Sequence, residues 1–236
     1  MKHKLFFLFL LLLIITSVKA EECIHINNNG VEMECEKYNM LKEYYSEKLL
    51  ESFYQSEYDA IKNNDINNIE TNTYEEPILT RGSYFASNFK TIQIIKNGTF
   101  ITASLTWTQN PSTRSHDVFA IRLLGPSIFE SPIFRQIYMV GNVITTSTTA
   151  YKKTFSNGVG YSFKLPNNYN GLESHITFSV LESGKIYSSY QHATSSISLN
   201  NSKKYTLSYA GYGNTILFDD SVKYYYDNMT GVDLTV

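Results

Sequence analysis

Residues 99–108 read Thr99-Phe100-Ile101-Thr102-Ala103-Ser104-Leu105-Thr106-Trp107-Thr108, and from Ile101 onward apolar and polar side chains alternate one for one. Successive side chains of a strand point to opposite faces of a sheet, so this period of two predicts a strand with one dry face, Ile101, Ala103, Leu105 and Trp107, and one wet face of threonine and serine. Asn97-Gly98 stands directly before it and is the strongest short-range hairpin signal in the chain. It predicts that 91–96 and 99–108 are joined through a type I′ turn.

Working outward, the same period recurs. Phe119, Ile121 and Leu123 alternate, as do Val159, Tyr161, Phe163 and Leu165, then Ile176, Phe178 and Val180. Shorter runs follow at Ile197 and Leu199, Tyr205, Leu207 and Tyr209, Ile216 and Phe218, and Val232, Leu234 and Val236. Turn chemistry separates them: Asn110-Pro111, Gly125-Pro126, Asn157-Gly158, Ser183-Gly184 and Asn200-Asn201. Many short alternating strands without helical spacing between them argue for antiparallel sheets rather than parallel β-α-β units. The expected fold is mainly β, an antiparallel β-sandwich spanning 81–236.

Before this block the period changes. Between 36 and 62, Leu41, Tyr45, Leu49 and Phe53 recur at helical spacing beside Leu50, Tyr54, Tyr58 and Ile61, opposite Lys42, Glu43, Glu47, Lys48, Glu51 and Glu57. That pattern predicts an N-terminal amphipathic helical extension, broken at most once, within a segment 21–62. Its polar face is acidic, which favours docking on a domain over lying on a membrane. Residues 63–80 are Asn-rich and follow neither period, as a linker would.

The chain begins with Lys2 and Lys4, an apolar run from Leu5 to Ile15, and small residues Val18 and Ala20 ahead of Glu21. These are the parts of a cleavable secretory signal peptide over 1–20, too short in its apolar run to span a bilayer. The expected product is secreted, without a transmembrane anchor. Its two cysteines, Cys23 and Cys35, are expected to pair with each other in an oxidising compartment.

A net charge of −2 with scattered Lys and Arg supplies no field for nucleic acid. Two Cys with His25 beside them do not make a zinc site, the spacing of a calcium loop is absent, and no cofactor fingerprint occurs, so neither metal nor cofactor is expected. The nucleophile-elbow pattern is missing, and Asp219-Asp220 are adjacent residues that would point apart on a strand. One enzyme reading stays open: His116-Asp117, His175 and His192 could meet a serine in three dimensions, as in a secreted hydrolase.

The chain holds 19 Tyr and 14 Phe against a single Trp, more rings than a core of this size requires. Eight of these tyrosines, Tyr187, Tyr190, Tyr205, Tyr209, Tyr212, Tyr224, Tyr225 and Tyr226, crowd toward the C-terminus with Gln191, His192, Asn214 and Asp227. Exposed rings with polar tips suit the apolar faces of sugars or a choline-like cation. Tyr190, His192, Tyr212 and Tyr225 fall off the inward alternation and are the candidate ligand-binding residues. The expected function is a secreted, non-enzymatic binding module for carbohydrate or cell-envelope and cell-surface ligands. The alternative is a membrane-active, pore-forming protein in which 36–62 detaches onto a membrane surface and the Thr/Ser-rich strands 99–108 and 143–156 refold. Sequons begin at Asn97, Asn200 and Asn228.

Overall fold

A computed structural model of the chain describes residues 23–75, 90–167, 169–208, 215–227 and 230–236. The signal-peptide reading, Tyr212 and the sequon at Asn228 lie outside the described residues.

In chain order the described strands are β1 (Ile24–Ile26), β2 (Glu32–Glu34), β3 (Glu70–Glu75), β4 (Lys90–Asn97), β5 (Phe100–Trp107), β6 (His116–Leu124), β7 (Ser127–Ile128), β8 (Ile133–Val140), β9 (Val143–Ser147), β10 (Tyr151–Phe155), β11 (Gly158–Lys164), β12 (Asn170–Leu181), β13 (Lys185–Gln191), β14 (Tyr205–Leu207), β15 (Ile216–Phe218) and β16 (Thr230–Thr235). The protein is mainly β, and every pairing is antiparallel. One sheet runs β3-β4-β5-β12-β8-β9 with β7 added on β12, and the other runs β10-β11-β6-β13-β16. Ile92, Ile94, Ile101, Ala103, Leu105 and Trp107 of the first meet Phe119, Ile121, Val159, Tyr161, Phe163, Ile186 and Val232 of the second in one apolar core, as the layers of a sandwich do. The alternating rows therefore point where the period of two puts them.

The wet faces are where the expectation fails. Thr102 and Ser104 are buried, because residues 23–66 cover that side of the first sheet. Val31, Met33, Leu41, Tyr45, Leu49, Leu50, Phe53 and Ile61 pack there against Ile95, Phe100 and Ile137. This N-terminal cover contains short helices, α1 (Cys35–Leu41), α2 (Glu47–Glu51) and α3 (Gln55–Ile61), in place of one long helix. Ser46 starts α2, its hydroxyl accepting from the Leu49 amide, and Glu57 reaches back to the Tyr54 amide to start α3, so caps interrupt the run wherever the chain turns to follow the sheet. Cys23 and Cys35 form a disulfide. The stretch read as a linker carries a 3-10 turn, Ile66–Asn68, and β3, whose residues pair with β4 from Glu70↔Lys96 to Glu75↔Thr91.

The outer face of the second sheet is covered too. Val118 and Ala120 pack against Ala193, Ile197, Tyr205, Ile216, Phe218, Val222 and Tyr226, a C-terminal cover drawn from 193–227. Gly160 allows the close approach, since a Cβ there would stand 2.3 Å from the Tyr205 hydroxyl. Within this cover Ile197 and Leu199 do not alternate along a strand. Leu199–Ser202 is a short helix, α4, whose start the Ser198 hydroxyl caps by accepting from the Asn201 amide. The hairpin at Gly98 also differs in detail: Asn97 pairs with Phe100, so Gly98-Thr99 is the two-residue loop. Gly98 alone of these two has a positive φ, +65°, the geometry of a type II′ turn rather than I′.

Candidate functional site

Lys90 opens β4 and shares its inward row with Ile92 and Ile94; across the sheet its partner is Trp107, the last residue of β5. Asp117 lies near the start of β6, and Tyr190 and Gln191 end the neighbouring β13. All of these therefore sit at one end of the two-sheet stack, where His192 and Ala193 leave β13 and Asp227 leads toward β16.

The polar groups gathered there are fully enclosed. The Asp117 carboxylate accepts from the Tyr190 hydroxyl and from the Ala193 amide at 2.9 Å, and lies 3.0 and 3.1 Å from His192 Nδ1. Asp227 pairs with Lys90 and accepts from the His192 amide at 2.8 Å. The Lys90 ammonium lies 5.3 Å from the Tyr190 ring centre and 5.8 Å from that of Trp107, and His192 meets Trp107 edge-on at 5.1 Å. Burial and the adjacent Asp117 carboxylate push the Tyr190 hydroxyl well above its ordinary value. Burial pulls His192 down, but the charge and hydrogen bond of Asp117 outweigh it and leave the imidazole raised. Burial raises the Asp227 carboxyl against the opposing pull of Lys90.

Of the candidate ligand residues, then, Tyr190 and His192 are brought together, but inside: Tyr190 is 0% exposed and His192 5%. Neither offers a face to a ligand in solution. Both rows of β13 are covered, Ile186 and Tyr190 by the central core and Tyr187 and Ser189 on the far side, so falling off one inward row did not expose a residue. Tyr225 is apart from them and open, at 44%, next to Tyr224 at 79%. Both stand on the 3-10 turn Lys223–Tyr225, which follows an Asp219 carboxylate that accepts from the Ser221 amide at 2.8 Å. Lys223 lies 2.6 Å from Asp220 and 5.0 Å from the Tyr224 ring centre. A cleft of about 480 Å³ that reaches Asp219, ahead of this turn, is lined by Lys153, Lys203, Lys204 and Leu217 as well.

No family model matches this chain, and no curated protein does. Among solved structures it is similar to the crystal structure of the KRT10-binding region domain of the pneumococcal serine rich repeat protein PsrP, with a TM-score of 0.33 and 13% identity over 53% of this chain and 86% of that one. A likeness at that level does not establish a shared fold, and no ligand is carried over from it.

A second polar network lies under the N-terminal cover. Ser104 and His175 are directly opposed on β5 and β12, and Ser104 Oγ, His175 Nδ1, His175 Nε2 and Glu173 Oε2 are linked at 2.9 and 3.2 Å. That series has the residue types of a hydrolase triad. Here, however, Ser46 and Lys48 of the cover hold the Glu173 carboxylate at 2.5 and 2.9 Å, and Ser104, His175 and Glu173 are all buried beneath them. The His116-Asp117 pair splits as well, His116 Nδ1 lying 2.9 Å from the Ile197 carbonyl oxygen while Asp117 takes His192.

Sequence reasoning missed Lys90, although a lysine in register with Ile92 and Ile94 is the signal that could have found it. Among the described residues no cluster of His, Cys, Asp and Glu could hold a metal, and no helix is long and apolar enough to cross a membrane.

Proposed function

We propose that this chain is a secreted binding module, not an enzyme, which holds a carbohydrate or another cell-surface ligand on the exposed rings of its C-terminal cover. The observation that carries the reading is the adjacent pair Tyr224 and Tyr225, open to solvent on a hydrogen-bonded turn with Asp220 and Lys223 beside them. A flat ring packs on the apolar face of a sugar, and neighbouring charged groups bind its hydroxyls. Tyr225 remains from the original candidates, joined by Tyr224; Tyr212 stays a candidate on sequence grounds, while Tyr190 and His192 act from inside by fixing Asp117. Secretion is supported by the Cys23–Cys35 disulfide and by the apolar leader read in the sequence.

The membrane-active alternative receives less support. Residues 99–108, which it would refold, form the centre of the first sheet, and 36–62 is fixed to that sheet by buried charge: Arg135 meets Glu57 through two bonds of 2.6 and 2.7 Å.

A glycan-array screen on the mature protein tests the proposal. Binding that Tyr224→Ala and Tyr225→Ala each weaken by about 1 kcal/mol, with the melting temperature unchanged, supports it. Leakage of liposomes without any glycan signal supports the alternative instead.

A further inference from the structure

Lys90 and Asp227 differ from the surface ion pairs of this protein. Their side chains are 0% and 1% exposed, they lie in direct hydrogen-bond contact, and the rings of Trp107 and Tyr190 flank the amine. A third ionisable group, the buried Asp117 carboxyl, is linked to the pair through two shared residues. Tyr190 donates to Asp117 and lies against Lys90; His192 places its ring nitrogen on Asp117 and its backbone amide on Asp227.

We propose that Lys90 and Asp227 condense to an intramolecular amide, a covalent bond from Lys90 Nζ to Asp227 Cγ. Enclosing a full ion pair costs desolvation of both charges, and transfer of one proton from the ammonium to the carboxylate removes both at once. The neutral amine then attacks Cγ. The Nζ–Cγ bond forms, one Cγ–O bond breaks, and that oxygen departs as water with the two hydrogens the nitrogen has given up. Ammonium plus carboxylate thus becomes amide plus water, with no oxidant, reductant or further reagent.

Groups held in contact react as if at an effective concentration of roughly 10⁵–10⁸ M, which is what a condensation unfavourable in bulk water requires. The flanking rings keep out the water that would reverse it. Burial raises the Asp227 carboxyl, favouring its reactive neutral form. Asp117 is the positioning residue: through Tyr190 and His192 it holds the pair in register and offers a site for the proton in transit.

The consequence is architectural. Lys90 begins the second strand of one sheet, and Asp227 precedes the edge strand β16 of the other, so the bond would close a loop around nearly the whole sandwich. The C-terminal cover, and with it Tyr224 and Tyr225, would be anchored covalently to the sheet opposite.

Mass spectrometry of the mature, full-length protein decides the matter. After reduction and denaturation, a proteolytic digest is expected to contain a branched peptide joining the segments around Lys90 and Asp227. The intact mass is expected to fall one water below the sequence mass, in addition to the hydrogens lost at the disulfide. Lys90→Arg keeps the cation but should restore the missing water, and Asp117→Ala, which keeps both reacting side chains, should leave most of the chain uncondensed. Recovery of Lys90 and Asp227 in two linear peptides from the unaltered protein would overturn the proposal and leave a plain ion pair, whatever the variants do.

Discussion

The two covers solve the same problem with different chemistry. Each hides the outer face of a sheet. The N-terminal cover is stapled within itself by Cys23–Cys35 and fixed to the first sheet by carboxylates reaching across: Glu57 onto Arg135 and Thr177, and Glu173 onto Ser46 and Lys48. The C-terminal cover has no disulfide and relies on stacked rings, Phe218 and Tyr226 lying 3.9 Å apart at 13°, and on Asp117 and Asp227 at one end. Polar side chains on the outer row of a strand, normally a mark of solvent, are in the first case the polar half of an internal joint, as Glu173 and Thr177 show. Few buried charges decide where each cover sits, because leaving one of them unpaired costs more than most apolar contacts supply.

The largest effect that could break this comparison is at Arg135. Glu57→Ala leaves a guanidinium 1% exposed without its carboxylate and should cost about 3–5 kcal/mol, read from denaturant unfolding. Pairing it with Arg135→Met should recover most of the loss. A single variant close to the parent protein would mean that the cover is held by its apolar face alone.

Next comes the disulfide, which closes a short loop inside the N-terminal cover. Cys23→Ser with Cys35→Ser should lower stability by roughly 2–3 kcal/mol, since the unfolded chain regains that loop's freedom. The ligand binding proposed for Tyr224 and Tyr225 should be unaffected, as they lie on the other cover. A loss of binding would show that the two ends are coupled.

Smaller over any single pH unit, at about 1 kcal/mol for each group, is an opposed response to pH. Burial pushes the Glu173 carboxyl up, but His175, Ser46 and Lys48 outweigh it and hold it at about 2. A depressed carboxyl contributes stability that is present above its unfolded value near 4.5 and lost as pH falls toward 2. His192 is raised, so its contribution is complete below its ordinary value near 6.5 and is lost as pH rises through the folded value. Melting temperatures across pH should therefore lose their acid limb in Glu173→Gln and their near-neutral limb in His192→Gln. Unchanged profiles in both variants would remove Glu173 and His192 from the account of the two covers.

What could be read beforehand follows the same division. Strands β5, β6, β11 and β12 were legible because their inward rows carry at least three consecutive apolar residues, as in Ile101, Ala103, Leu105 and Trp107, although Asp117 and Ser174 lie buried in the rows of β6 and β12. Strand β8 was not, because Arg135 and Gln136 break the period while being buried for reasons that lie elsewhere in the chain, Arg135 on account of Glu57. Strand β3 was hidden in an Asn-rich stretch whose side chains are all exposed, so only backbone pairing with β4 reveals it. The tyrosine excess was real but mostly internal, with Tyr187, Tyr190, Tyr205 and Tyr226 all buried, because a sheet covered on both faces consumes rings from both of its rows. The sequon at Asn97 fails for the same reason, its side chain lying under the N-terminal cover at 1% exposure, whereas Asn200 is open.

The central claim is that both covers are layers of one cooperative unit, neither of them an appendage that comes away while the sheets stay folded. Native-state hydrogen exchange along a denaturant series, resolved by peptide mass, tests it most directly. The amides of 35–61, 101–107 and 216–226 are expected to lose protection together, at the denaturant concentration that unfolds the whole chain. Exchange of 35–61 at markedly lower denaturant, with 101–107 still protected, would contradict the account and return that segment to the detachable helix of the membrane-active alternative.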